Sequence, residues 1–226
     1  VPQPSKYDPS ILYPIPRWPA RSLLDIDKKL RMFGFDHWHA YELGWLDDSG
    51  KPRVATGEFF FDSDSENIVE SKSLKLYLNS LHGQKFRDST ALAEIIQNDL
   101  SAVSRSQVSV FVRGLGEWER EPITQSAAKN IDSESVEHIP QEPGQDILKV
   151  DDDSAFDEEL RSDLFKSNCP VTGQPDWASV YIRYTGGKLN RTSLLSYLCS
   201  YREHQAYHEE CAERIYRDLY QVAQPA

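Results

Sequence analysis

The stretch Glu70-Ser-Lys-Ser-Leu-Lys-Leu-Tyr-Leu-Asn-Ser80 returns 120 positions later as Asn190-Arg-Thr-Ser-Leu-Leu-Ser-Tyr-Leu-Cys-Ser200. Ser73 falls on Ser193, Leu74 on Leu194, Tyr77 on Tyr197, Leu78 on Leu198 and Ser80 on Ser200. Further on, Asn98-Asp-Leu100 matches Arg217-Asp-Leu219 once a short gap is allowed. The spacing of Leu74, Tyr77 and Leu78 predicts a helix over 72–81, and Leu92, Ile95, Ile96 and Leu100 predict a second over 90–103 with Ser89 as its cap. Before the first pair, His37–Leu46 and Arg53–Phe61 alternate aromatic and polar residues about an Asp47-Asp-Ser-Gly50 turn, which reads as a β-hairpin. After the pair, Val108, Val110 and Val112 alternate through a strand from Gln107 to Arg113. The second half repeats the order: strands at Glu159–Lys166 and Ala178–Tyr184, a Gly186-Gly187 turn, then two helices. The chain is therefore read as α+β, a duplicated strand-strand-helix-helix unit. Residues 1–21, with six of the 13 prolines, are expected to form an extended arm laid on the folded body. The two units are expected at 22–125 and 126–226.

With 226 residues, 39% of them hydrophobic and 11% aromatic, the chain can bury a core as one large domain or two small ones. Its 25 Lys and Arg against 36 Asp and Glu give a net charge of −11, which argues against a phosphate-backbone partner and leaves a small heterocycle compatible. An odd number of cysteines, three, does not suggest a disulfide framework and fits a reducing cytosol. No apolar run approaches the ~20 residues of a membrane span. The amino end is Pro-rich and polar rather than basic then apolar, so a soluble cytoplasmic protein is expected.

The halves have kept different chemistry. The first holds Glu70, Ser71, Lys72 and Lys75 and no cysteine. The second holds Lys166-Ser-Asn-Cys-Pro-Val-Thr-Gly-Gln-Pro-Asp-Trp177, with Cys169 and Asp176 in a loop that Pro170 and Pro175 stiffen without help from a helix or strand. A thiolate attacks electrophilic carbon, and a neighbouring carboxyl group can deliver the proton that the attacked group then needs. A lone cysteine also serves as a small buried hydrophobe, and Lys72 and Lys75 also suit a solvated helix face. His204, His208 and Cys211, at i, i+4 and i+7, would share one helical face, and with Cys169 they would make a tetrahedral zinc site. No Gly-x-Gly-x-x-Gly follows a strand, so a dinucleotide-binding Rossmann unit is not visible.

Three ordered segments, Glu70–Ser80, Ser167–Trp177 and Tyr207-His-Glu-Glu-Cys-Ala-Glu-Arg-Ile215, resemble the NADPH-dependent 7-cyano-7-deazaguanine reductases, the nitrile reductases of queuosine biosynthesis, in their two-module form. The resemblance covers nearly the whole chain and is weakest between about Glu117 and Glu159. It implies tandem tunnelling-fold modules whose antiparallel sheets and paired helices join, across modules and subunits of a homodimer, into a barrel. It implies Cys169 as nucleophile and Asp176 as its proton partner, His208, Glu209 and Glu70 on the substrate, and Ser71 and Lys72 on NADPH, with the site where modules or subunits meet. It implies no metal and no direct nucleic-acid contact, with Cys199 and Cys211 as ordinary helix residues. It also implies a further strand and an Arg-Gly-Gly loop holding the cofactor phosphates, which this chain, ending Gln221-Val-Ala-Gln-Pro-Ala226, does not contain. Two other readings keep a similar fold: a zinc-dependent cyclohydrolase-like enzyme, and a non-catalytic purine- or pterin-binding module.

Overall fold

A computed structural model describes residues 6–24, 32–117 and 127–224. The chain divides into two compact units, Val1–Pro122 and Ile123–Ala226. The boundary expected at 125/126 lies outside the described residues.

The first unit is built on a hairpin of β2 (Phe35–Leu46) and β3 (Pro52–Asp62), preceded by β1 (Pro14–Pro16) and α1 (Trp18–Leu23). Then come β4 (Asn67–Val69), α2 (Ser71–Ser80), α3 (Ser89–Ser104) and β5 (Val108–Gly114). The antiparallel sheet runs β2-β3-β5, and β1 pairs β4 separately. Gly50, at φ 86°, supplies the left-handed residue of the β2–β3 turn, and the Asp47 carboxylate accepts the N–H groups of Ser49 and Lys51. One sheet face packs Phe59, Phe61, Val108 and Val110 against Leu74, Tyr77, Leu78, Leu92, Ile96 and Leu100 of the two helices, all buried.

In the second unit the short β6 (Lys129–Asn130) runs parallel to β7 (Val150–Asn168), which makes a long antiparallel ribbon with β8 (Pro175–Leu189). Helices α4 (Arg191–Cys199) and α5 (His208–Ala223) follow. They bury Leu194, Tyr197, Leu198, Cys211 and Ile215 with Leu160, Phe165 and Leu189 of the ribbon.

The internal repeat is a repeat of bonds. Tyr77 donates to Asp99 at 2.5 Å, and Tyr197 donates to Asp218 at 2.6 Å, so in each unit a buried phenol ties the first helix to the second. Ser73 and Ser193 accept the N–H groups of Tyr13 and Lys149 and donate to the carbonyls of Glu70 and Asn190. Ser80 and Ser200 bond back to the carbonyls of Tyr77 and Tyr197, both at 2.6 Å. The positions shared by the two stretches are the ones that make these contacts.

Four expectations are corrected. The cap of α3 is Asp88, whose carboxylate accepts Ala91 N–H at 2.8 Å; Ser89 is already the first helical residue. Trp18–Arg21, assigned to the arm, belongs to the helix Trp18–Leu23, since Pro19 is tolerated in a first turn. The arm before it is not merely laid on the surface, because Leu12 and Arg17 are buried and Arg17 pairs with Asp36. Gly186 and Gly187 make no turn; they pair with Ala155 and Ser154 inside the ribbon, and a Cβ at Gly187 would press Val150 and the Ala223 carbonyl. Among the described residues no helix is long and apolar enough to cross a membrane.

The two Tyr–Asp pairs are not equal. Asp99 also accepts from Tyr7 and is half-buried, whereas Asp218 is fully buried. Arg217 Nε approaches Asp218 Oδ1 to 2.8 Å without the alignment of a hydrogen bond. Tyr197→Phe should therefore cost about 2 kcal/mol and Tyr77→Phe about 1 kcal/mol in urea denaturation, because removing one partner of a buried polar group leaves the other unsatisfied.

Candidate active site

Cys169 sits in the turn that joins β7 to β8, immediately after Asn168 and opposite it from Pro175. Its N–H donates to the Gln174 carbonyl and its carbonyl accepts from Gly173, each at 2.8 Å. Gly173 is at φ 67°, a conformation that lets the chain close this turn. The pair is thus held by the hairpin and not by a free-standing loop, and Asp176 belongs to β8 itself, in register with Ser167. Asp176 alternates onto the same strand face as Ala178, Val180 and Ile182.

A second clamp fixes the turn to the helix layer. Asn168 donates its N–H to the His204 carbonyl at 2.9 Å and accepts from Ala206 N–H at 3.2 Å, which sews the segment leading into α5 onto the end of β7. The Lys166 ammonium bonds the Arg202 carbonyl, and the Arg202 guanidinium lies 5.7 Å from the Trp177 ring centre. Helix α5 then opens at His208, which is exposed and meets Phe165 edge-on. Glu210 reaches back to the Tyr207 N–H at 3.1 Å and is committed to the cap. Glu209, half-buried, points roughly 100° round the helix from it. A cleft of about 480 Å³ between β8 and α5 is lined by His208, Cys211, Ala212, Ser179 and Tyr181 among others.

The three thiols differ in kind. The Thr172 hydroxyl, with the N–H groups of Thr172 and Val171, holds the Cys169 thiol below its ordinary value, against the opposing influence of burial and of the Asp176 carboxylate. Burial pushes Cys199 up and Cys211 up to about 12. Cys169 is therefore the one cysteine whose environment favours thiolate.

The helical metal face does not assemble. His204 precedes α5 and pairs with Glu142 at 3.1 Å, and Cys211 is buried in the core. Helical spacing does not apply to a residue outside the helix. Among the described residues, the His/Cys/Asp/Glu group whose ligand atoms converge is instead His37, His39 and Glu58, all within 4.8 Å, and it was not anticipated from sequence.

In the first unit Glu70 is the cap of α2, its two carboxylate oxygens accepting the N–H groups of Lys72 at 3.0 Å and Ser73 at 2.7 Å. Ser71, Lys72 and Lys75 are exposed, and Ser71 and Lys75 border a cleft of about 430 Å³ with Trp38, His39, Tyr41 and Leu74.

Residues 3–112 match the family described as nitrile reductase, 7-cyano-7-deazaguanine-reductase N-term, and residues 175–226 match the QueF-like protein family. A protein of Hahella chejuensis named NADPH-dependent 7-cyano-7-deazaguanine reductase is 44% identical over 224 residues, covering 98% of this chain and 81% of that protein. The chain belongs to the 7-cyano-7-deazaguanine reductase family. Relatives of the same name from Bordetella pertussis, 42% identical over 225 residues, and Ralstonia nicotianae, 44% over 224, are covered to 82% and 81% of their lengths. For this nitrile reductase family member, the two family matches leave 113–174 between them, so Asp176 falls inside the second match and Cys169 just before it. The alignments with the relatives nonetheless span 98% of the chain or more.

Iodoacetamide at neutral pH should modify Cys169 before Cys199 or Cys211. Because its pKa is lowered, its alkylation rate should climb with pH about a midpoint below that of an unperturbed cysteine measured alongside. Thr172→Val should move that midpoint upward, as read by peptide mass mapping across a pH series.

Proposed function

We propose that this protein reduces the nitrile of 7-cyano-7-deazaguanine to an aminomethyl group with NADPH, in queuosine biosynthesis. The observation that carries the reading is the Cys169 turn: one thiol biased to thiolate, with a carboxylate beside it, in a chain aligned throughout with relatives of that name. On this reading the described units are tandem tunnelling-fold modules, bounded near 22–125 and 126–226 with an amino-terminal arm. Their sheets join with those of a second subunit into a barrel, as a cytoplasmic homodimer without direct nucleic-acid contact.

The proposed chemistry begins at the thiol. Asp176 accepts the Cys169 proton, Cys169 Sγ bonds the nitrile carbon, and Asp176 returns the proton to the nitrile nitrogen, giving a neutral thioimidate with atoms balanced. NADPH supplies hydride, and a four-electron reduction of nitrile to amine consumes two hydrides and two protons. Expulsion of the thiolate after the first hydride leaves an imine for the second. His208 and Glu209, at the start of α5, bind the purine-like ring, the glutamate accepting hydrogen bonds from its N–H edge.

The cofactor side fits the residues of α2. Glu70 already satisfies the helix-start N–H groups, so a phosphate would be met by the Lys72 and Lys75 ammonium groups and the Ser71 hydroxyl rather than by bare helix amides. Glutamate is not a favoured cap residue, and the repeat places the favoured Asn190 at the matching position. This departure supports a second task for Glu70, because Oε2, which accepts only the Ser73 N–H, keeps a lone pair for a substrate N–H, whereas Oε1 accepts from both Lys72 N–H and the Ser71 hydroxyl.

Two moles of NADPH should be oxidised per mole of nitrile consumed, followed by absorbance and product analysis. Cys169→Ala should abolish turnover, and Glu70→Ala and Lys72→Ala should each lower kcat/KM by at least about tenfold, the worth of one charge-assisted bond. Wild-type rates in both first-unit variants would remove their assigned roles.

A further inference from the structure

We propose that His37, His39 and Glu58 form a binding site for a first-row divalent cation of the zinc, nickel or cobalt class, clasping β2 to β3. The proposal rests on the first unit alone and is independent of the reductase reading.

His37 and His39 lie two apart on β2 and therefore on one face of the sheet, and Glu58 on β3 stands directly opposite His39. This face is the one turned away from the helices, since Trp38 and Phe59 occupy the other. Glu58 Oε1 is 3.4 Å from His37 Nε2 and 3.9 Å from His39 Nδ1. Those spacings exceed the ~2.8 Å of a charge-assisted hydrogen bond. The 3.4 Å spacing is close to the ~3.3 Å that separates two ligand atoms each about 2.0–2.1 Å from a tetrahedral ion, and the 3.9 Å one lies about half an ångström beyond it, a gap that a small rotation of the His39 ring would close. Two imidazole nitrogens and a carboxylate oxygen suit metals of intermediate softness better than magnesium or calcium, and three ligands leave a position open.

The surroundings hold the ligands in place. Phe60 stacks on the His37 ring at 3.9 Å, and the His39 ring stacks on Tyr41 at 6.0 Å. Arg113, from β5, lies 3.3 Å from Glu58 Oε2 and so engages the oxygen that the histidines do not. A supporting contact of that kind orients a ligating carboxylate. Glu58 is 9% exposed, which keeps its carboxylate from swinging into solvent.

The register that makes this cluster comes from a bulge. Between Ala40–Gly57 and Leu43–Ala55 the pairing shifts by one residue, with Tyr41 and Glu42 facing Thr56 alone. Without that extra residue His39 would oppose Phe59, and Glu58 would point to the opposite face.

The test is calorimetric titration of the chelator-stripped full chain with zinc chloride, and with cobalt chloride followed by visible absorption. We expect one equivalent of zinc to bind and cobalt to develop d–d bands. His37→Phe, which keeps the stacked ring, and Glu58→Gln should each weaken zinc binding at least tenfold. His208→Ala and Cys211→Ser should leave it unchanged. Thermal unfolding of the metal-free variants at the wild-type midpoint would show that the sheet is intact. No binding, binding insensitive to His37→Phe and Glu58→Gln, or binding lost in the α5 variants instead would overturn the proposal.

Discussion

Two main-chain hydrogen bonds at Asn168, to the His204 carbonyl and from the Ala206 N–H, hold the chemistry of the second unit together. They bind the last residue of β7 to the segment that enters α5, so the thiol of the next residue and the His208-Glu209 pair are positioned by one piece of backbone. Backbone bonds carry no side-chain entropy and cannot be lost by rotamer change, which suits a site that must hold two reacting groups in a fixed geometry. The hairpin adds the remaining restraint, since Pro170 and Pro175 stiffen its end while Gly173 permits the turn. Around it, neutral donors from Thr172 and Val171 stabilise the thiolate.

Duplication supplies a common frame with unequal contents. Serine and tyrosine positions that knit helix to helix, and the first helix to the backbone that lies beside its start, recur in both units, because each pair of helices meets the same packing problem. The capping position is where the units diverge. Asn190 accepts one N–H, that of Ser193, in the manner expected of a cap. Glu70 does the same work with a longer, charged side chain beside Ser71 and Lys72, placing a negative charge at the cap position, where the second unit has neutral Asn190. The second unit in turn places Cys169 and Asp176 at the end of a ribbon much longer than the β2–β3 hairpin.

Much of this was legible in the sequence where local rules govern. Periodicity located α2 and α3 to within a residue at each end, and the Asp47–Gly50 turn located the first hairpin. Cys169 and Asp176 were singled out from their spacing and segment, and the structure places both at the end of one hairpin. What was missed depends on contacts between distant residues. The continuity of β8 through Gly186 and Gly187 depends on their pairing with β7, which local composition does not reveal. His204 was placed on a helical face although it lies outside α5, which begins at His208. The convergence of His37, His39 and Glu58 depends on a bulge that no turn-based count of register would include. The alternating histidines were the available signal, and their cross-strand neighbour was hidden by one inserted residue.

The central claim is that Cys169, alone among the three thiols, bonds the nitrile carbon. Intact-mass spectrometry of the protein mixed with 7-cyano-7-deazaguanine, without NADPH, reads it directly, since addition to a nitrile has no leaving group. The account predicts a gain equal to the full mass of the nitrile, mapped to the peptide containing Cys169, slowed in Asp176→Asn and absent in Cys169→Ala. An unchanged mass, or an adduct on Cys199 or Cys211, would contradict it.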